Sequence, residues 1–311
     1  MNDQPETSSR KRIAILGPGS IGCCVGAALQ ERGHEVVFIA RTRFERLRLD
    51  STDRHLDLPA VCISNPEELG NIALLVLTTK AHQTESAVAF LAAALHQGRP
   101  ILVAQNGVDQ VERTLALIGK VATGTGLKAA ALPVIPAVVY CSAHRLAPGH
   151  TVREGQAKLI LPLSDTSQKI AEWFTGSFVD IQLSKDWTSA AWGKLLMNAS
   201  IGAVCVLARR DMDVLHDAQA ATLVLALMEE IIAVGRATGA TFPEHAALDV
   251  LQAALKASAG HMPSIAQDRL AGLPTEWVAR NEVVVRLAAR YGVEVPLNAA
   301  MTTLLRLGEP R

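Results

Sequence analysis

Residues 12–22 read Arg12-Ile-Ala-Ile-Leu-Gly17-Pro-Gly19-Ser-Ile-Gly22, an apolar run that leads into three glycines with GxGxxG spacing. The run has the length and β-branched content of a buried strand, and the residues after it have helical spacing. A glycine-rich turn between a strand and a helix is typical of dinucleotide-binding α/β folds, because its free N–H groups attract a pyrophosphate. A turn that merely contains glycines is the alternative, and the position after the first strand favours phosphate binding.

Each glycine of this turn has its own expected task. Gly17 permits the tight turn, Gly19 lets the backbone approach a pyrophosphate, and Gly22 lets the helix pack closely against the sheet. We therefore predict a cofactor-binding turn made of Gly17, Pro18, Gly19, Ser20, Ile21 and Gly22.

The first half of the chain alternates short apolar runs with longer amphipathic segments, which predicts βα units and a parallel sheet. We expect strands at 12–16, 35–39, 72–77, 100–104, 137–142, 151–153, 158–163 and 178–183. Helices are expected between them at 20–32, 84–96, 109–118 and 166–175, and the later strands should form a more antiparallel edge. After residue 187 almost every window has helical periodicity. These patterns predict a disordered leader at 1–10, a dinucleotide-binding domain at 11–185 and a helical domain at 186–311.

Composition narrows the class of protein. Of 311 residues 49% are apolar, and 30 basic side chains balance 30 acidic ones, so a nucleic acid is a poor candidate partner. Five cysteines without metal-type spacing predict no metal site and a reduced, cytoplasmic protein. Apolar runs such as 129–141 are interrupted by prolines and shorter than the roughly 18 residues of a membrane span, so we expect a soluble chain. Whether it forms a homodimer cannot be read from its Ala- and Leu-rich helices.

The residues after the second strand favour one cofactor. An acidic residue there would bond the ribose 2′-hydroxyl of NAD(H), but the chain reads Ala40-Arg41-Thr42-Arg43. Arginine forms charge-assisted bonds with phosphate, which predicts NADP(H), with Arg41 as the main contact. The role of Arg43 stays open, since two solvated arginines on a loop are common.

Polar residues also follow the third and fourth predicted strands. Ligands of such sheets lie beyond the carboxyl ends of the strands, where Lys80 and Asn106 occur. A surface lysine and an Asn-Gly turn are the plain alternatives. Their shared edge with the glycine turn favours cofactor contact.

A helix predicted in the second half carries a polar stripe. Lys194, Asn198 and Gly202 are four residues apart and share one face of an otherwise apolar segment. Reduction of a ketone produces an alkoxide that needs a proton, and a lysine beside it can donate one. A lysine that extends to solvent is an equal alternative. Ser264 and Glu276 are further candidates, although a loop serine and a first-turn carboxylate explain them equally well.

Taken together, the motifs resemble those of the ketopantoate reductase (2-dehydropantoate 2-reductase) family along nearly the whole chain. The residues that carry the resemblance are Gly17-Pro-Gly-Ser-Ile-Gly22, Thr79-Lys80-Ala-His-Gln83, Gln105-Asn106-Gly107, Trp192-Gly-Lys194-Leu-Leu-Met-Asn198, Ser264-Ile-Ala-Gln-Asp268 and Pro274-Thr-Glu276.

The resemblance implies an α/β N-terminal Rossmann-like dinucleotide-binding domain plus an all-α C-terminal domain, as in 6-phosphogluconate dehydrogenases. It implies NADPH-dependent reduction of 2-dehydropantoate to (R)-pantoate, a step of pantothenate and coenzyme A biosynthesis. Lys194 would be the proton donor, and Asn106 would contact nicotinamide and substrate. Asn198 and Ser264 would bind the substrate. Lys80 would contact the cofactor, and Glu276 would contact either the cofactor or the pantoate hydroxyl.

One position departs from the family pattern. Gly202 stands where a second substrate-binding asparagine is common, which removes an amide and leaves more room. The alternative function is therefore a related NAD(P)-dependent 2-hydroxyacid dehydrogenase that acts on another branched or bulky 2-oxo acid. A noncatalytic NADP sensor is a third hypothesis, which the pairing of Lys194 with Asn198 disfavours.

Overall fold

The structure is a computed structural model that describes residues 10–121, 133–257 and 260–310. The predicted leader therefore lies outside the described residues, except for Arg10. The described residues form two compact units, with the boundary between Lys185 and Asp186. The short segment Asn106–Asp109 groups with the second unit.

The first unit combines two sheets with four helices. Its strands are β1 (Arg12–Leu16), β2 (Glu35–Ile39), β3 (Arg46–Asp50), β4 (His55–Pro59), β5 (Val61–Ile63), β6 (Leu74–Leu77), β7 (Ile101–Val103), β8 (Val134–Pro136), β9 (Val138–Ala147), β10 (His150–Pro162) and β11 (Val179–Ser184). Its helices are α1 (Ser20–Glu31), α2 (Val88–His96), α3 (Gln110–Val121) and α4 (Asp165–Phe174), and 3₁₀ turns cover Pro66–Leu69 and Ala81–Ala87.

The first sheet is parallel throughout and has the strand order β5-β2-β1-β6-β7-β8. Its central strand β1 is apolar at every inner position because both faces are covered. Ile13 and Ile15 pack in one core with α1, whereas Ala14 and Leu16 pack in another with α2. This two-sided burial explains why the apolar run that forms β1 is continuous.

The second sheet has the order β11-β10-β3-β4, and β9 pairs along β10. The sequence predicts two short strands at 151–153 and 158–163, but β10 is one strand of 13 residues. It stays continuous because β9 pairs with it antiparallel, while β3 and β11 pair with it in parallel. The expected antiparallel edge is therefore limited to β9–β10 and β3–β4.

The second unit is helical. Its helices are α5 (Trp187–Ala208), α6 (Ala218–Ala237), α7 (Ala246–Lys256), α8 (Ser264–Leu270), α9 (Val283–Tyr291) and α10 (Pro296–Leu307), with a 3₁₀ turn at Met212–His216 and a π-helical turn at Val278–Glu282. Asp217 caps α6 by accepting hydrogen bonds from the N–H groups of Gln219 and Ala220. Gly239, two residues after α6, has φ +95°, a conformation that glycine adopts without strain.

Two long helices form much of the core of the second unit. In length and hydropathy α5 and α6 could cross a membrane, so the expectation that no apolar run reaches this length was wrong. In the most apolar stretch of each helix, the share buried inside the protein is 67% for α5 and 39% for α6. Core helices of globular proteins can have the same length and hydropathy. The buried side chains of α5 and α6 belong to one apolar cluster, which includes Trp192, Leu196 and Met228.

Candidate active site

The glycine turn of the first unit is built as its spacing requires. Gly17 has φ +86°, and a Cβ there would lie 2.4 Å from the Thr79 Cγ2 atom, so no other residue fits without rearrangement. A Cβ at Gly22 would lie 2.5 Å from Thr78 Oγ1. These close approaches bring the start of α1 directly against the ends of β1 and β6.

The middle of the turn is open. A Cβ placed on Gly19 would have no heavy atom within 4 Å, so a ligand can approach this part of the backbone. Gly19 is also the N-terminal cap of α1, where no side chain accepts a hydrogen bond and no acidic residue occupies the first turn. An uncapped helix N-terminus with free N–H groups attracts an anion. The N–H groups of Gly17 and Gly19 already donate to the Ile39 and Gly17 carbonyls, so these features fit a dinucleotide pyrophosphate that lies over Gly19 and is bound by the first N–H groups of α1, beginning with Ser20.

Threonine and glutamine side chains brace the turn from the neighbouring strand ends. Thr78 Oγ1 donates a hydrogen bond to the Gly17 carbonyl at 2.8 Å. Gln105 Nε2 donates to the Thr79 carbonyl at 2.8 Å and to Thr84 Oγ1 at 2.8 Å. Lys80 follows them, partly exposed, as the N-terminal cap of the 3₁₀ turn. These bonds keep the carboxyl ends of β1, β6 and β7 in register around the open backbone.

The two arginines after β2 are placed differently. Arg43 Nη2 donates to Ser64 Oγ at 3.0 Å and lies 3.8 Å from Glu68 Oε1. Arg41 is exposed and makes no hydrogen bond or ion pair with any residue that the structure describes. Arg41 is therefore the more available cation beyond β2.

In the second unit, three predicted site residues belong to one chain of polar contacts: Asn198, Asn106 and Glu276. Asn198 Nδ2, on α5, donates to Asn106 Oδ1 at 3.4 Å. Asn106 Nδ2 in turn donates to Glu276 Oε2 at 2.8 Å. Glu276 is only 7% exposed, so its carboxylate depends on these partners for hydrogen bonds. Residues that are 170 positions apart in sequence thus share one polar site.

The chain of contacts continues through a residue that the sequence analysis missed. Arg280, 4% exposed, has Nη2 at 3.6 Å from Glu276 Oε2 and donates from the same atom to Ser264 Oγ at 3.0 Å. Burial lowers the pKa of the Arg280 guanidinium, and the charge of Glu276 opposes that shift. An arginine four residues after a glutamate normally indicates a surface pair on a helix, so the sequence carried no sign of its burial.

Lys194 lies on α5 one turn before Asn198 and is partly exposed. Four residues of helix separate them by about 6 Å along the axis, so the two side chains project from one face. An ammonium group and a carboxamide on one helix face supply a proton donor and hydrogen-bond donors for an oxygen-bearing ligand.

Gly202, the next position on this face, is not open. A Cβ on Gly202 would lie 3.3 Å from Ile265 Cγ2, and Ile265 is fully buried. Ile265 from α8 therefore takes up part of the room that was expected at this position.

Two of the five cysteines, Cys23 and Cys205, are poor candidates for a further reactive site. All five are free, and burial raises the pKa of both Cys23 and Cys205 to about 11. Thiols with such pKa values are poor nucleophiles at neutral pH. Among the described residues, no three His, Cys, Asp or Glu side chains are arranged to hold a metal ion.

Comparison with known proteins places these features in a family context. Two family models match the chain: ketopantoate reductase PanE/ApbA over residues 13–165, and its C-terminal counterpart over residues 186–309. A 2-dehydropantoate 2-reductase from Caulobacter vibrioides is 31% identical over 94% of this chain and 97% of its own length.

Solved structures agree with the sequence matches. A PanE/ApbA family ketopantoate reductase from Ralstonia eutropha JMP134 superimposes with a TM-score of 0.85 at 26% identity, covering 96% of this chain and 98% of that one. A 2-dehydropantoate 2-reductase from Geobacter metallireducens GS-15 gives a TM-score of 0.84 at 27% identity, covering 95% and 99%.

Proposed function

The chain belongs to the ketopantoate reductase PanE/ApbA family, and we propose that it catalyses NADPH-dependent reduction of 2-dehydropantoate to (R)-pantoate, a step toward pantothenate and coenzyme A. The observation that carries this proposal is the continuous chain of hydrogen bonds from Asn198 through Asn106 to Glu276. This chain begins on the face of α5 that also carries Lys194. A small 2-oxo acid needs donors for its carbonyl and carboxylate oxygens, and this site is rich in them.

The glycine turn and Arg41 are proposed to bind the cofactor. Gly17 shapes the turn, Gly19 leaves room for the pyrophosphate, and the first N–H groups of α1 bind it, whereas the Arg41 guanidinium pairs with the 2′-phosphate. When bound, NADPH supplies the hydride that reduces the ketone carbon. Lys80 is proposed as an additional contact to the cofactor, because it follows β6 at the same edge of the sheet.

The remaining chemistry belongs to the protein. As the ketone carbon becomes tetrahedral, negative charge develops on its oxygen, and the Lys194 ammonium donates the proton that converts this alkoxide to a hydroxyl. One proton from Lys194 and two electrons with one hydrogen from the cofactor balance the reduction. Asn106 and Asn198 hold the substrate, Ser264 binds its carboxylate end, and Glu276 orients the cofactor or the pantoate hydroxyl.

The alternative is a 2-hydroxyacid dehydrogenase for a bulkier 2-oxo acid. This alternative depends on room for a bulkier substrate at Gly202. The packing of Ile265 against that position reduces the room and so weakens the alternative. A noncatalytic NADP sensor would have no need for a lysine and an asparagine on one helix face.

The test is a steady-state assay with NADPH and a panel of 2-oxo acids, followed by cofactor absorbance. We expect 2-dehydropantoate to be turned over with a higher kcat/KM than 2-oxoisovalerate, which lacks the hydroxymethyl group. The reverse order would favour the alternative, and NADPH binding without turnover of any 2-oxo acid would favour the sensor.

Two variants make the assay specific for the proposed proton donor. Lys194→Met keeps most of the apolar stem and should lower kcat by about 10²- to 10⁴-fold, the usual contribution of a general acid. NADPH affinity should stay nearly unchanged. Lys185→Met, at an exposed position outside the site, is the matched control. An unimpaired kcat in Lys194→Met would remove this residue from the mechanism.

We infer that the enzyme works in a reducing, cytoplasmic environment, since all five cysteines are free. We also infer a homodimer, since a ketopantoate reductase from Staphylococcus aureus that shares this fold is described as dimeric. Light scattering of the purified protein tests the dimer, and a monomer mass at working concentration would contradict it.

A further inference from the structure

The second unit contains a buried positive charge that the proposed mechanism does not use. Arg280 is 4% exposed, and its guanidinium lies 3.6 Å from the carboxylate of Glu276. Its Nε atom is buried and has no hydrogen-bond partner among the described residues. Burying a guanidinium is costly unless its charge is compensated, so its position calls for a reason beyond packing.

The first consequence concerns the direction of a hydrogen bond. Arg280 Nη2 lies 3.0 Å from Ser264 Oγ, and a guanidinium can only donate. Ser264 Oγ must therefore accept, which leaves its own hydroxyl hydrogen free to donate elsewhere. Ser264 is exposed at the start of α8, so this donor is available to a ligand. The buried arginine thus presents the serine as a donor to an anionic acceptor.

The second consequence concerns charge. Glu276 carries a carboxylate in the same contact chain, and its Oε2 atom accepts from Asn106 at 2.8 Å. A 2-oxo acid is itself an anion, which a nearby carboxylate would repel unless a cation offsets it. Arg280 is the cation that lies against both Glu276 and Ser264, and the charge of Asp268 also acts on it, so the guanidinium offsets part of the charge of two carboxylates.

We propose that Arg280 is a positioning residue that determines specificity for the carboxylate of the substrate. It orients the Ser264 hydroxyl as a donor to that carboxylate and offsets the charge of Glu276. The inference rests on the proposed function and extends it, because it names the residue that makes the site select an acid over a neutral ketone.

The test compares two substrates that share the reacting ketone. One is 2-oxoisovalerate, and the other is its methyl ester, so the two differ only in whether the carboxyl group is charged. The wild-type enzyme should prefer the acid in kcat/KM. Arg280→Met should reduce this preference at least about tenfold, mainly through a higher KM for the acid, since a charge-dependent hydrogen bond is lost. Arg280→Lys retains the charge and should recover part of the preference.

Additional variants separate this role from a structural one. Ser264→Ala, at an exposed position, should lose the preference to a similar degree. The double variant should lose little more than the larger single effect, because the two side chains act as one unit. Arg290→Met, an exposed arginine of α9, should leave the preference unchanged. Equal losses for acid and ester in Arg280→Met, or an unchanged preference in both Arg280→Met and Ser264→Ala, would overturn the proposal.

A failure of the proposed function would give a different result. If the wild-type protein reduced neither compound, binding of 2-oxoisovalerate by the NADPH-loaded protein would be measured by NMR titration. Weaker binding by both Arg280→Met and Ser264→Ala than by wild type would still support carboxylate recognition. Equal binding by all three, or no binding by wild type, would overturn it.

Discussion

The Asp109 carboxylate and the Arg286 guanidinium form an ion pair, with Oδ2 and Nη2 2.6 Å apart. Asp109 ends the short segment that begins at Asn106, and Arg286 lies in α9. Asp109 has only 10% of its side chain exposed, so the pair is well shielded on one side. This bond fixes the segment that carries Asn106 to the helical unit.

Removing the arginine should loosen that segment. Arg286→Met leaves the Asp109 carboxylate near Glu282, whose pKa is already raised by burial, with Asp109 adding to the rise. We expect a loss of about 1–2 kcal/mol in the free energy of unfolding, and a several-fold higher KM for the 2-oxo acid. Denaturant unfolding measures the free energy of unfolding, and steady-state kinetics measure the KM. Arg290→Met is the control, and equal effects from the two variants would contradict a role for the ion pair.

The two arginines after β2 allow a matched comparison for the cofactor. Arg41→Ala should weaken NADPH binding by about tenfold or more and leave NADH binding almost unchanged, because only NADPH carries the 2′-phosphate. Arg43→Ala should change the difference between NADPH and NADH binding less, since the Arg43 side chain already contacts Ser64 and Glu68. Fluorescence titration with both cofactors decides. Equal losses for NADPH and NADH in Arg41→Ala would exclude the phosphate contact.

His34 should make the first unit sensitive to acid. The Lys11 N–H donates to His34 Nδ1 at 3.3 Å, so Nε2 carries the hydrogen that faces the Trp173 carbonyl at 3.3 Å. Burial lowers the pKa of His34 below its ordinary 6.5, which means that the unfolded chain binds the proton more readily. The stabilisation by neutral His34 is present above pH 6.5 and is lost as the pH falls through its lowered pKa.

The corresponding measurement is the melting temperature between pH 7.5 and pH 5, a range of about the width over which histidine titrates. His34→Gln should be less stable than wild type at pH 7.5 and should lose less stability on acidification. The exposed His245→Gln variant should follow the wild-type curve. A His34→Gln curve parallel to wild type would show that another group controls the response.

An asparagine at position 202 should not fit without rearrangement. Gly202→Asn directs a side chain at Ile265 and should cost about 1–3 kcal/mol in the free energy of unfolding, as overpacked cores do. Ile265→Ala alone should cost about 2–4 kcal/mol through the cavity it leaves. The double variant should lose less than the sum of the two, measured as a double-mutant cycle. Strict additivity would mean that the two positions do not interact.

The sequence was most informative where local rules decide the structure. The predicted bounds of β1 and β2 match the structure, because a buried apolar run between turn residues has few alternative conformations. The strands β3 and β4 were missed. They are rich in charged residues, such as Arg46 and Asp57, which pair across strands rather than forming an apolar run.

In the second unit, the sequence identified residue types but not their contacts. Asn106 and Glu276 were both candidates, yet only the fold brings their side chains to 2.8 Å. Arg280 was missed because the helical periodicity after residue 187 predicted regular helix in this segment as well. The structure instead begins it with a π-helical turn, whose wider winding has no simple signature in apolar periodicity.

That turn at Val278–Glu282 has a consequence for the evolution of the chain. It lets two successive polar residues, Arg280 and Asn281, both be buried, with Asn281 Nδ2 donating to the Ala199 carbonyl on α5 at 2.7 Å. A π-helical turn holds one residue more than an α-helical turn, so deleting one residue here would restore ordinary winding and change the directions in which Arg280 and Asn281 project. Homologous chains that keep this site should therefore accept an exchange at the exposed Val278 more readily than a deletion within the turn.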